Sequence, residues 1–163
     1  MNVISTLAPP RQGWIRGRAN GAELDLEFNR IQRTVEGTAN DDTVQLNLSD
    51  SGVNGRANGY TVSLDMHWSP TEIHLEGSAN GKPLELDVDY ARHTVSGHNG
   101  LDQWNLRFDQ DSLHGTMGDR NVDLELDLST GTLSGTVNEQ PVSAEMINVD
   151  MGDLAANVFL LAK

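Results

Sequence analysis

The chain has no cysteine among its 163 residues. That excludes a disulfide framework, thiolate metal ligation and cysteine nucleophiles. Aromatic residues make up only 5% of it, too few for an extended sugar-stacking platform. Cationic side chains are also scarce, 11 Lys and Arg against 24 Asp and Glu, and the formal charge is −13. Such an excess of negative charge argues against binding nucleic acid through its phosphates or an anionic bilayer surface, and it favours solubility. No apolar run approaches the ~18 residues a helix needs to span a membrane. The length is that of one domain.

What the chain does have is a repeat. Seven segments centre on a glycine flanked by the same kind of residues, at Gly17, Gly37, Gly55, Gly77, Gly97, Gly115 and Gly135. A period near 20 residues is an architectural unit to be recognised before any single element. Three residues after each glycine comes a turn dipeptide: Asn20-Gly21, Asn40-Asp41, Asn58-Gly59, Asn80-Gly81, Gly100-Leu101, Gly118-Asp119 and Asn138-Glu139. Asn-Gly between alternating apolar residues is the strongest local hairpin signal, because both positions accept the positive φ of a type I′ turn. A two-residue turn pairs Ala19 with Ala22, Gly17 with Leu24 and Ile15 with Leu26, all on one face. The returning strands then alternate strictly, as in Val62, Leu64, Met66, Trp68 or Val122, Leu124, Leu126, Leu128. Period two with polar residues between is a half-buried strand.

The fold class expected is therefore all-β, with seven hairpin repeats over residues 13–150. Two architectures accommodate them: an up-and-down antiparallel meander of about 14 strands, or a two-sided β-solenoid with equivalent strands stacked in parallel. Tight even-length connections at Asn29-Arg30, Ser49-Asp50, Ser69-Pro70, Ala91-Arg92, Asp109-Gln110 and Ser129-Thr130 favour the meander. Repeat length changes only in steps of two, which keeps every core residue on the core face. A sheet that large is expected to curl or close barrel-like so that edges are not left open. A round barrel of that strand number is too wide for side chains alone to fill.

The alternation stops after Val149, and residues 151–163 are apolar nearly all round. They read either as a short helix capped by Asp153 or as a final strand over Val158–Leu161. In the first form they plug the barrel, cap one end of it, or mediate self-association with another subunit. Residues 1–12, with Ala8-Pro9-Pro10, read as an extended arm. They carry no basic stretch followed by an apolar run, hence no intact secretory signal, which slightly favours a cytoplasmic location.

No catalytic constellation is present. Gly77-Ser-Ala-Asn-Gly81-Lys82-Pro83 has the wrong glycine spacing for a phosphate loop and no helix pattern after it. His67, His74, His98 and His114 point outward by parity and His93 inward, a scatter that suits solvated or cross-strand-bonded imidazoles better than a metal site. Asp41, Asp42 and Asp50 are the carboxylates closest to a calcium pattern, but a solvated acidic face is the simpler account. No cofactor is implied.

The expected function is non-catalytic: an acidic β-repeat scaffold that binds a protein or glycan or takes part in assembly. Turn rows on a rigid sheet are where recognition usually resides. The candidate binding residues are therefore Asn20, Asn58 and Asn80 of the turns, with Trp14, outward by parity, and Tyr60, at a hairpin end. Two alternatives stand beside it. One is an acidic inhibitor or immunity-type protein that occupies a basic site; the other is a carrier of a lipid or small apolar ligand inside the barrel.

Overall fold

The computed structural model of the protein describes residues 12–161, so the expected arm lies outside the described residues except for Gln12. Seven hairpins follow one another: β1 (Gln12–Ala19) and β2 (Ala22–Asn29), β3 (Thr34–Ala39) and β4 (Asp42–Leu48), β5 (Gly52–Ala57) and β6 (Tyr60–Trp68), and β7 (Glu72–Ala79) and β8 (Lys82–Asp89). The last three are β9 (Thr94–Asn99) and β10 (Asp102–Phe108), β11 (Ser112–Met117) and β12 (Arg120–Asp127), and β13 (Thr132–Val137) and β14 (Gln140–Ile147). Each strand pairs antiparallel with its neighbours in sequence, and β14 pairs with β1, so the sheet is a closed fourteen-stranded meander barrel. Like strands of successive repeats are never adjacent, which rules out the solenoid.

The register follows from the repeat. Gly17 lies opposite Leu24, and Gly37 lies opposite Leu26, two residues further along the same strand. Gly55, Gly77, Gly97, Gly115 and Gly135 each repeat that step of two, and Gly17 opposite Ala144 closes the ring. Seven steps of two give a shear equal to the strand number. That sets a strand tilt of about 36° and, at ordinary strand spacing, a backbone radius of about 13 Å. The stepping also brings the seven glycines to one height, as a belt around the lumen. At Gly37, φ is +145°, and a Cβ would collide with the carbonyl oxygen of Asp25. The missing side chain lets neighbouring strands close in at the belt.

All seven hairpin turns fall where the sequence places them. Asn20-Gly21, Asn40-Asp41, Asn58-Gly59, Asn80-Gly81 and Asn138-Glu139 have positive φ at both positions, whereas Gly100-Leu101 and Gly118-Asp119 have it only at the glycine. The connections at the other end are even-length, but not all are centred as expected. Four-residue loops join Asn29 to Thr34, Asp89 to Thr94 and Asp127 to Thr132. Only the second and third are centred on the expected dipeptides. Two-residue turns Asp50-Ser51, Pro70-Thr71 and Gln110-Asp111 make the rest, one residue beyond expectation. In the longer loops the side chain of Asn29, Asp89 or Asp127 accepts backbone N–H bonds from the residues that follow, which holds the chain in a wider bend. His93, placed inward by parity, sits in one of these loops with φ +60° and is exposed. Trp68 and Leu128, on core parity, lie past the barrel mouth and are 62% and 61% exposed.

The lumen is filled by the chain itself. Helix α1 (Met151–Ala156) and a 3-10 turn (Val158–Leu161) run through it, and Met151, Leu154, Ala155, Val158, Phe159, Leu160 and Leu161 are buried. A helix is about 10–12 Å across, which suits the space left inside walls about 26 Å apart once inward side chains are counted. The cap is Asp150 rather than Asp153. The Asp150 carboxylate accepts from the Asp153 amide at 2.8 Å, and the Asp153 carboxylate accepts from the Asp150 amide at 3.1 Å, a reciprocal capping box. Val158–Leu161 is helical because the sheet is already closed by β1 and β14 and offers no edge for a further strand.

Candidate functional site

The stepping that levels the glycine belt also levels the turns, since each turn begins three residues after its glycine. Asparagines from the first four turns therefore meet side by side at one mouth of the barrel, where Asn99, the last residue of β9, continues the row. Asn20 donates its amide to Asn40 Oδ1 at 2.7 Å, Asn40 to Asn58 at 2.7 Å, Asn58 to Asn80 at 2.7 Å, and Asn80 to Asn99 at 3.2 Å. The same amide nitrogens also donate to the end of the plug: Asn20 to Leu161 O, Asn40 to Leu160 O at 2.9 Å, and Asn58 and Asn80 to Phe159 O. A helix end leaves its last carbonyls without partners, and this ladder supplies them. Asn58 and Asn40 are accordingly buried, and Asn20 and Asn80 half-buried. The three asparagines singled out from sequence thus face inward with an occupant already bound to them. The level spacing of Asn at the first turn position was the signal for that role.

Trp14 and Tyr60 do not join them. Trp14 faces outward on β1 opposite Glu27 and Ile147, with the Arg16 guanidinium 5.0 Å from its ring centroid. Tyr60 stands at the asparagine end, half-exposed, and its ring covers the backbone of Gly81.

The outer face is charged and polar, the reverse of the apolar belt on a lipid-facing barrel. No helix among the described residues is long and apolar enough to cross a membrane. On β6–β8 the register sets Asp65 directly opposite Glu76, and Glu76 opposite Glu85, with His98 opposite Glu85 on the far side. One row away, His67 faces His74 and His74 faces Asp87. His74 Nδ1 lies 2.5 Å from Asp87 Oδ1, and its Nε2 3.6 Å from Glu76 Oε2. The hydrogen bond to Asp87 holds the His74 pKa above its usual 6.5, against the desolvation that lowers it, with Glu76 and Glu85 adding to the rise. His114 pairs with Asp123 at 2.8 Å and His98 with Glu85 at 3.8 Å. Among the described residues no group of three or more His, Asp or Glu side chains converges as a metal would require.

At the other mouth, α1 packs most closely on β10 and β11. Tyr90 reaches its first turn, donating to Gly152 O at 3.4 Å and packing edge-on against Phe108. Burial, reinforced by Asp153 and Asp150, pushes the Tyr90 hydroxyl up to about 12. Asp153 is raised as well, chiefly by burial, although Arg30 lies 3.1 Å from it. On the opposite side, toward β2–β6, a crevice of about 250 Å³ remains between plug and wall.

The fold and these surfaces define a plugged, repeat-built β-barrel with a charged exterior. Compared with protein-family models, curated proteins and solved structures, the chain matches none.

Proposed function

We propose that the protein is a non-catalytic acidic scaffold that recognises a protein partner through the outside of its barrel, and that the partner presents a basic surface. The carboxylate row Asp65–Glu76–Glu85 carries this reading. Like charges directly opposite on neighbouring strands destabilise a sheet, and the row keeps an excess of negative charge although His74 and His98 lie beside Glu76 and Glu85. A basic partner relieves that repulsion on binding. Charge complementarity of this kind speeds encounter and selects partners, and it weakens as salt rises.

The test is affinity capture with the full chain beside an Asp65→Asn/Glu76→Gln/Glu85→Gln variant, at low and high salt. A stoichiometric partner retained by the wild type at low salt, and lost both in the variant and at high salt, is the expected result. Capture of the same proteins by both forms, insensitive to salt, contradicts the reading.

A further inference from the structure

We infer that the crevice between the plug and the β2–β6 wall is a binding site for a small amphiphilic monocarboxylate. This rests on the barrel mouth alone and is independent of the outer-face reading. The helix α1 packs toward β10 and β11, and the crevice lies against the opposite wall. Phe28 and Val35 form the inner wall, while Leu48 and Met66 remain only partly buried above them. Polar groups gather at one edge: Arg30 and Arg33 from the β2–β3 loop, with Asp153 and Asn157 from the plug. An apolar pocket with a few convergent polar groups is the usual form of a small-molecule site. At about 250 Å³ it lies below the range typical of drug-sized ligands, so its occupant is small.

The sign of the charge follows from the two guanidiniums. Arg33 donates one N–H to Asp50 Oδ1 at 2.7 Å, and Arg30 one to Asp153 Oδ2 at 3.1 Å. A guanidinium has five N–H donors in a planar fork, so each retains donors for a second carboxylate without breaking the pair it already makes. The Arg33–Asp50 pair is solvent-exposed, with Asp50 82% exposed, and such a pair is a weak competitor for an incoming anion; the Arg30–Asp153 pair is half-buried. Arg33 is also held in the left-handed region at φ +59°, a conformation for which the equivalent loop of the sixth repeat uses Gly131. The alkyl tail then lies against Phe28, Val35, Leu48 and Met66, with the carboxylate between Arg30 and Arg33.

The experiment titrates the full chain with sodium octanoate, followed by amide and methyl NMR shifts, with octanol and octylamine as controls. Saturable binding is expected, with shifts concentrated at Arg30, Arg33, Leu48, Met66 and Asn157. Octanol and octylamine should bind at least about tenfold more weakly, the ratio expected for one charge-assisted hydrogen bond. Arg33→Gln should weaken octanoate by a similar factor and leave octanol unchanged, with Arg33→Lys between the two. An unchanged thermal midpoint in Arg33→Gln establishes that the fold is intact. Absence of saturable binding, equal affinity for octanol and octanoate, or octanoate binding untouched by Arg33→Gln in a folded variant would each overturn the inference.

Discussion

The side-chain amide of Asn40 donates to the carbonyl oxygen of Leu160 across 2.9 Å, which ties the second hairpin to a residue 120 positions later. A residue type chosen for a turn thus also closes the barrel onto its own C-terminal segment. The two roles separate by mutation. Glycine keeps the positive φ of the turn but removes the amide. Asn58→Gly should lower stability by about 2 kcal/mol, because Asn40 loses an acceptor and Phe159 O and Asn80 lose a donor inside the barrel. Asn138→Gly is the control: Asn138 has the same backbone conformation, φ +51°, but its side chain is exposed, and the change should be nearly neutral. Denaturant midpoints of the two variants check this.

The glycine belt is steric as much as conformational. Gly37→Ala puts a methyl group against the Asp25 carbonyl at φ +145°, with backbone and not a flexible side chain in the way. A loss of more than about 3 kcal/mol, or failure to fold, is expected. Gly21→Ala, at φ +73° with open space around it, should cost only the left-handed strain of about 1–2 kcal/mol. Thermal unfolding of the pair separates crowding from strain.

Two type I′ turns put a side chain where glycine is preferred. Glu139 has φ +66° and is exposed. Glu139→Gly should therefore raise stability by about 1 kcal/mol, seen as a higher denaturant midpoint with an unchanged slope.

His74 gives the stability a pH dependence of known sign. Its folded pKa is raised above 6.5, first by the hydrogen bond to Asp87. The contribution is therefore present in full below pH 6.5 and is lost as pH rises through the folded value. His74→Gln should be less stable than the wild type in mildly acidic solution, and the two should converge at alkaline pH. Unfolding midpoints from pH about 5.5 to about 8.5 test the convergence, and an imidazole titration by NMR locates the pKa.

The hairpins were legible in the sequence because each is local: Gly17 opposite Leu24 and Ile15 opposite Leu26 follow from one turn and strand parity. The far connections were less so. Asn29 and Asp89 wrap the chain through side-chain bonds to backbone, and nothing in residue type marks Arg33 or His93 for a left-handed conformation as Gly131 does. Closure through β1 and β14 depends on the summed register of seven repeats, which no single turn announces. Residues 151–163 were recognisable as apolar on all sides, but their partner was not. The asparagines had already been assigned to turns, and their second role emerges only when the shear brings the turns level.

The account depends on the C-terminal segment lying in the lumen with its last carbonyls against the asparagine ladder. A NOESY spectrum of the labelled full-length protein tests this most directly. Cross-peaks from the side-chain amide protons of Asn40 and Asn58 to protons of Leu160 and Phe159 are predicted, with Phe159 ring contacts to the inward residues of the wall. Sharp, rapidly exchanging signals from residues 151–161 without such cross-peaks, in an otherwise folded protein, would contradict it.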